Sequence, residues 1–350
     1  MDISPREQKI IAIILENGSL QSSQVHAEIE KKGENVSLVT VKRALSEMVT
    51  RSLLVPSGSG RAILYNVGVL GRVFVDIDAR GYCAIEPDRR FGLRRYNFEL
   101  FSDMPANIFT GAELKVLQDA TNEYARRTTD MPPAIEKREL ERLIIELSWK
   151  SSRIEGNTYT LLDTEKLILE NKEAPGHDRK ETQMILNHKD AFLFIREHAA
   201  LFRTVSRSSV EKLHAILVKN LSVGLGLRVK PVGVIGSVYQ PLDNAYQIKE
   251  GMDALANMVS RALTPYAKAL VALLGISYLQ PFEDGNKRTA RLLANAILLA
   301  HTCAPLSYRS VEENEYREAT LVFYEINSII PFKKIFIGQY DFAARNYAVK

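Results

Sequence analysis

Cysteine is scarce: 350 residues hold two, Cys83 and Cys303. That is too few for a disulfide framework, so the core must come from packing, and a reducing cytoplasm is the expected setting. Long hydrophobic runs are missing too. Apolar stretches such as Ala269 to Leu279 fall short of the roughly 20 residues that span a bilayer, and no membrane partner is expected. The N-terminal stretch Met1 to Lys9 contains no apolar region of the kind a secretory signal requires. Charge of one sign is also lacking, with 46 Lys and Arg against 42 Asp and Glu and a formal net charge of +4. So mild an excess does not by itself indicate a nucleic-acid partner, and any such reading must rest on local pattern. Of the six histidines, His188, His198 and His214 lie on or beside expected helices, but none has metal-ligand spacing with a third ligand nearby.

What is present is ordinary globular composition, 46% hydrophobic and 25% charged, in a chain long enough for two domains. Residues 5 to 67 read as three short helices and a hairpin. Ser4-Pro5 is a helix start, and Ile10, Ile11, Ile14 and Leu15 form an apolar stripe ended by Asn17-Gly18. A second helix over Ser22 to Lys32 turns Val25 and Ile29 inward. A third, from about Ser37, buries Val41, Leu45 and Met48 and displays Thr40, Lys42 and Arg43. Leu53 to Val55, a Ser57 to Gly60 turn and Arg61 to Tyr65 complete a hairpin. Four basic residues between 38 and 67 (Lys42, Arg43, Arg51 and Arg61) face one acid, Glu47. This order resembles a winged helix-turn-helix. The resemblance implies DNA binding through Thr40, Lys42, Arg43 and Arg61; a protein-interaction or homodimer module is the alternative.

Residues 69 to 105 read as a structured connector with short β-like runs such as Val73-Phe74-Val75. Its basic cluster, Arg89 to Arg95, reads as a solvated face. From about 110 the chain is mostly helical. A helix over about 132 to 156 carries Leu140, Leu143, Ile144, Leu147 and Trp149, and Gly156 suits its left-handed terminus.

The most informative stretch is Leu279 to Arg291. Pro281 and the Asp284-Gly285-Asn286 turn interrupt the chain, and Leu292, Leu293, Ala296, Ile297 and Ala300 then recur at helical spacing. A polar loop at a helix start favours an anion. Arg288 and Arg291 share a helix face and can grip the same anion; Asp284 can ligate a Mg²⁺ that accompanies phosphates, and Asn286 can donate to a phosphate oxygen. The plainer alternative is that Asp284 caps the helix and the arginines are solvated.

The stretch resembles the Fic signature, His-Pro-Phe-x-Asp/Glu-Gly-Asn-Gly-Arg-x-x-Arg, with Pro281, Phe282, Asp284, Gly285, Asn286, Arg288 and Arg291 in place, Lys287 for the second glycine and Gln280 for the histidine. Upstream, Ser151, Glu155 and Gly156 match the family's inhibitory motif. The resemblance implies a mainly α fold: an all-helical Fic core with a β-hairpin flap, behind a small α+β winged helix. It implies domains at 1–68, 69–105 and 106–345, with the signature loop at 280–291. It further implies ATP and Mg²⁺ as cofactors, a nucleotide held by Gly285, Asn286, Lys287, Arg288 and Arg291, metal at Asp284, and Glu155 paired with Arg291 where a γ-phosphate would lie. A flap around Val234, Ile235, Gly236 and Ser237 would receive a protein target by strand addition.

Fic enzymes move AMP from ATP to a protein hydroxyl, and the histidine is their base. A carboxamide is essentially non-basic near neutral pH, so Gln280 can orient a hydroxyl but cannot take its proton. One expectation is therefore a pseudoenzyme that senses ATP and controls a DNA-binding winged helix as a transcription regulator. Another is a protein adenylyltransferase inhibited by Glu155 and weakened, or engineered, at Gln280. A third is a scaffold that binds neither nucleotide nor DNA.

Overall fold

Ser4 starts the first helix with a capping box: its hydroxyl accepts from Glu7 N, and the Glu7 carboxylate accepts from Ser4 N. The computed structural model describes residues 3–349. Helices α1 (Pro5–Asn17), α2 (Ser22–Lys31) and α3 (Leu38–Thr50) lead into an antiparallel hairpin of β1 (Leu54–Ser57) and β2 (Leu64–Val67), in register from Leu54 opposite Val67 to Ser57 opposite Leu64. Short helices α4 (Val69–Phe74), α5 (Ala79–Ala84) and α6 (Leu100–Asp103) follow. The rest is helical: α7 (Gly111–Thr128), α8 (Pro133–Ile154), α9 (Leu161–Glu170), α10 (Arg179–Glu197), α11 (Arg207–Leu217), α12 (Ala245–Arg261), α13 (Pro265–Leu279), α14 (Asn286–Ala300), α15 (Glu313–Ile326) and α16 (Ile330–Asn346).

The β-like run at Val73 proves to be helix. Val73 and Phe74 are buried on α4, where tertiary burial outweighs the β preference of a branched side chain. Polar caps set the starts of other helices. Asn244 Oδ1 accepts from Tyr246 N and Gln247 N at the head of α12, and Asp178 does the same for Lys180 N on α10.

The chain packs as two units. The first comprises Met1–Pro105, Gly233–Gln240 and Arg317–Lys333. Its core joins Ile10, Ile14, Val25, Val41, Leu45 and Met48 of the three-helix segment to Val75, Tyr82, Val322 and Ile326. Residues 69–105 pack within this first unit. The second unit comprises Ala106–Val232, Pro241–Tyr316 and Lys334–Lys350. Its centre is the pair α13 and α14, with α8, α10, α11 and α12 packed round them. α13 is buried on nearly all sides, which its uniformly apolar sequence requires.

Candidate functional site

The loop between α13 and α14 is shaped by backbone hydrogen bonds and one buried arginine. Gln280 ends α13 in the left-handed region (φ 50°, ψ 57°), with its N donating to Ile276 O at 3.0 Å. Its carboxamide is buried, and Nε2 donates to Ser277 O at 2.6 Å. Arg228, also buried, donates from Nε to Gln280 O at 2.6 Å and from its backbone N to Pro281 O at 3.0 Å. Its remaining nitrogens reach the carbonyls of Lys230 and Leu242. No sequence motif marks Arg228, yet four carbonyls converge on it.

Asn286 makes a reciprocal pair with Phe282: Phe282 N donates to Oδ1 at 2.9 Å and Nδ2 donates to Phe282 O at 2.8 Å. One Nδ2 hydrogen is thus committed to closing the loop, and the second is left for the phosphate contact expected of Asn286. His214 stacks on Phe282 with centroids 3.8 Å apart and planes 7° from parallel, while Nε2 lies 2.9 Å from Asp284 O. Burial holds His214 below its usual pKa, against the pull of the Asp284 carbonyl. It is a wall of the loop.

Gly285 opens α14 at φ 77°, a left-handed conformation open to glycine, and provides no side-chain cap. Asp284 does not cap either; its Oδ1 accepts from Gly285 N at 2.6 Å, and Oδ2 lies 3.2 Å from Arg288 Nη2. The helix start is therefore left with its first amides unserved by side chains. Arg288 is buried, and its Nη1 has no hydrogen-bond partner among the described residues. Burial lowers its pKa, only partly offset by Asp284 and Glu155.

Arg291 is fully buried. Nε donates to Ser151 Oγ and Nη2 to Ser151 O, both at 2.8 Å, and Nη2 lies 2.8 Å from Glu155 Oε1. The guanidinium also sits 5.6 Å from the centre of the Tyr316 ring. Burial alone would pull the Arg291 pKa down; Glu155 more than reverses this and the net shift is upward. Glu155, 20% exposed, is also approached by Lys287 Nζ at 3.7 Å. Burial pushes its carboxyl up, and Arg291, Lys287 and Arg288 together bring it below the ordinary value.

The geometry of α8 delivers Glu155 to this position. Gly156 at φ 95° turns the chain out of the helix, with Gly156 N donating to Arg153 O and Asn157 N to Ser152 O. Lys150 and Arg153 both hold Glu313, at 3.1 and 3.0 Å. Behind the pair, Ser151 Oγ lies 2.8 Å from Nε2 of the buried His188. Arg291 Nε must donate to that oxygen, so the serine hydroxyl is free to donate to a neutral His188. Burial, then Arg291 and Arg288, push the His188 pKa far down.

The flap segment lies in the first unit. Val234 to Ser237 form a turn, Ser237 N donating to Val234 O at 3.2 Å, with Ile235 99% exposed. No paired strands are present there among the described residues, so the expected β-hairpin is not formed. The segment's polar groups are bonded elsewhere: Gly236 O accepts from Arg90 Nη1 at 2.9 Å, Ser237 Oγ donates to Glu325 Oε1 at 2.5 Å, and Gln240 N donates to Arg94 O at 2.9 Å. Arg90 is no solvated residue of a basic face; it is 5% exposed and pairs with the buried Glu325 at 3.3 Å.

On α3, Lys42 and Arg43 are exposed, Arg43 lying 3.3 Å from Glu47. Thr40 is half-buried and engaged with the cap residue Ser37, its Oγ1 2.9 Å from Ser37 Oγ. Arg61 falls in the wing turn Gly60–Ala62, and its side chain lies outside the described part.

The fold and loop define a helical domain whose α14 start no side chain caps, in a chain that also contains a three-helix and hairpin segment. The Fic/DOC family matches residues 204–298, and the penicillinase repressor family matches residues 3–75. The chain carries a Fic/DOC domain joined to a repressor-type winged helix. It is 25% identical over 228 residues to "Protein adenylyltransferase fic-1" of Caenorhabditis briggsae, covering 63% of this chain and 43% of that protein. It is 26% identical to "Protein adenylyltransferase Fic" of Nematostella vectensis, over 52% of this chain and 44% of that one. The chain thus spans less than half the length of these curated relatives. Among solved structures it resembles Fic-1 of C. elegans (TM-score 0.56, 19% identity, 67% of this chain and 70% of that one). A Fic family protein of Desulfovibrio desulfuricans gives TM-score 0.56 and 23% identity over 69% and 75%. Among the described residues no helix is long and apolar enough to cross a membrane.

Proposed function

We propose that this chain is a nucleotide-reading Fic protein, held in check by Glu155, whose winged helix binds DNA and regulates transcription. The observation that carries the nucleotide half is Arg288: a buried guanidinium with Nη1 unpartnered, beside a helix start that no side chain caps. Such a site is short of negative charge, and a polyphosphate supplies it. The residues fit ATP with Mg²⁺. Gly285, Lys287 and Arg288 would hold the phosphates, and Asp284, with its carboxylate largely exposed, would share the metal with them. No cluster of three or more acidic, histidine or cysteine ligands stands ready among the described residues, so the ion would arrive with the nucleotide.

Ser151, Glu155 and Gly156 act as the brake. While Arg291 is occupied by Glu155, it is not available to a terminal phosphate. Gln280 occupies the base position with its amide tied to Ser277 O, and losing a general base costs about 10²- to 10⁴-fold in rate. The site then reads nucleotide without turning it over.

A second reading, a protein adenylyltransferase acting on a hydroxyl presented at Val234 to Ser237, is favoured by one observation. Glu155 and Arg291 are in ion-pair contact at 2.8 Å, and a brake matters most where there is activity to restrain. Titration calorimetry of ATP with Mg²⁺ into the full chain tests the common part: heat and a thermal shift are expected, and neither would leave the site without a nucleotide. Labelled ATP then separates the readings. AMP transfer by the Glu155→Gly variant alone supports the enzyme, whereas transfer that needs Gln280→His as well supports the sensor.

A further inference from the structure

The face of α3 that a DNA groove would meet is set by what the helix buries. Val41, Leu45 and Met48 point into the core, and at 100° per residue the ridge diametrically opposite is Val39, Arg43, Ser46 and Thr50. All four are exposed. Thr40 and Lys42 lie on the flanks of that ridge. Val39, in the first turn of the helix, is 77% exposed, although a branched apolar side chain gains nothing from water and little from a helix. Its neighbours on the ridge are polar or basic, and the Arg43–Glu47 pair is an exposed i,i+4 contact that holds Arg43 only weakly. The first turn of a recognition helix is the part that reaches base edges, and the one apolar group displayed in the major groove is the thymine 5-methyl.

We propose that Val39 is a base-reading residue that packs on a thymine methyl, giving this winged helix a preference for thymine at one position of its site, with Lys42 anchoring phosphate beside it. The inference deepens the DNA-binding half of the function proposed above and rests on it.

The test starts by selecting preferred duplexes from a randomised pool with the full chain. Each thymine of the selected site is then replaced singly by deoxyuridine, which removes the methyl and leaves the pairing edge intact. One such replacement should weaken binding by about fourfold, the worth of one buried methyl. With Val39→Ala that replacement should have no effect, while the salt dependence of binding stays as in the parent. Lys42→Ala should instead weaken all duplexes alike and reduce the salt slope by about one unit. A selected site whose affinity ignores every deoxyuridine, or a methyl effect that survives Val39→Ala, overturns the role of Val39 while leaving DNA binding standing. Failure to enrich any duplex, with no salt-dependent binding, overturns both.

Discussion

Replacing Glu155 removes the carboxylate that faces a fully buried Arg291. Taking away one partner of a buried pair leaves the other charge uncompensated, which costs about 3–5 kcal/mol. The lower end applies here, because Ser151 Oγ and Ser151 O still accept from Nε and Nη2 at 2.8 Å and Lys287 is free to turn to solvent. A loss of about 3 kcal/mol should lower the melting temperature by about 6–12 °C for a domain of this size. The same change should make nucleotide binding stronger, since a phosphate then finds Arg291 unoccupied. At a hundred times its Kd, ATP with Mg²⁺ would return about 2.7 kcal/mol, nearly the whole loss. Thermal unfolding with and without ATP and Mg²⁺, on the parent, Glu155→Gly and Glu155→Gln, separates charge from backbone effects. Glycine adds chain freedom at a helix end, glutamine does not, and both remove the charge. The expected pattern is a lower melting point without nucleotide and a larger nucleotide shift in both variants. Equal melting points and equal ATP affinities in all three would refute the idea that this pair gates the site.

Lys287 should behave with opposite signs in two backgrounds. Its contact with Glu155 is 3.7 Å and a third exposed, so Lys287→Ala should cost less than about 1 kcal/mol of stability; it should leave ATP affinity equal or slightly higher in the parent but lower it severalfold with Glu155→Gly, as calorimetry would read. Gln280→His with Glu155→Gly should raise AMP transfer by about 10²-fold or more over Glu155→Gly alone, measured with labelled ATP. His188 is neutral in the fold with a lowered pKa, so the unfolded chain binds the extra proton: stability is fully present above about pH 6.5 and falls below it, by up to about 1.4 kcal/mol per pH unit for each such histidine. His188→Gln should flatten the pH 5 to 6.5 slope in urea unfolding, leaving a residue from His214, whose pKa is lowered in the same direction.

Much of this was legible in sequence because it is local. Capping signals at Ser4 and Gly156, the periodic burial of α3, the apolar α13 and the signature loop are each written within a few residues. What escaped was set by contacts distant in the chain. Val73 reads as strand until its burial on α4 is seen, where its carbonyl accepts from the distant Ile329 N. The flap reads as a hairpin until Arg90 and Glu325, far off in sequence, take the polar groups a strand partner would have used. His188 reads as a surface or core histidine without a role, since nothing near it announces that Ser151 lies against its ring. Arg228 shows no motif at all; its role exists only once four carbonyls meet around it. Thr40 and Val39 differ by one position, and a helix turned by 100° decides which of them faces out.

Gln280 illustrates why a loop can keep one half of a site while the other half changes. The left-handed turn at Gln280 is held by its own backbone, through Ile276 O on one side and Arg228 on the other, and Asn286 closes the loop by pairing with Phe282. None of these bonds uses the Gln280 side chain. The phosphate-facing amides of α14 and the guanidinium of Arg288 are therefore positioned without reference to what stands at 280. Proton transfer, by contrast, depends on that side chain alone. Anion binding and catalysis thus rest on separable atoms, and one can change without the other. The separation also sets what Gln280→His must do if the reading is right. It should leave ATP affinity within about twofold of the parent, because no phosphate contact passes through residue 280, while changing transfer by orders of magnitude.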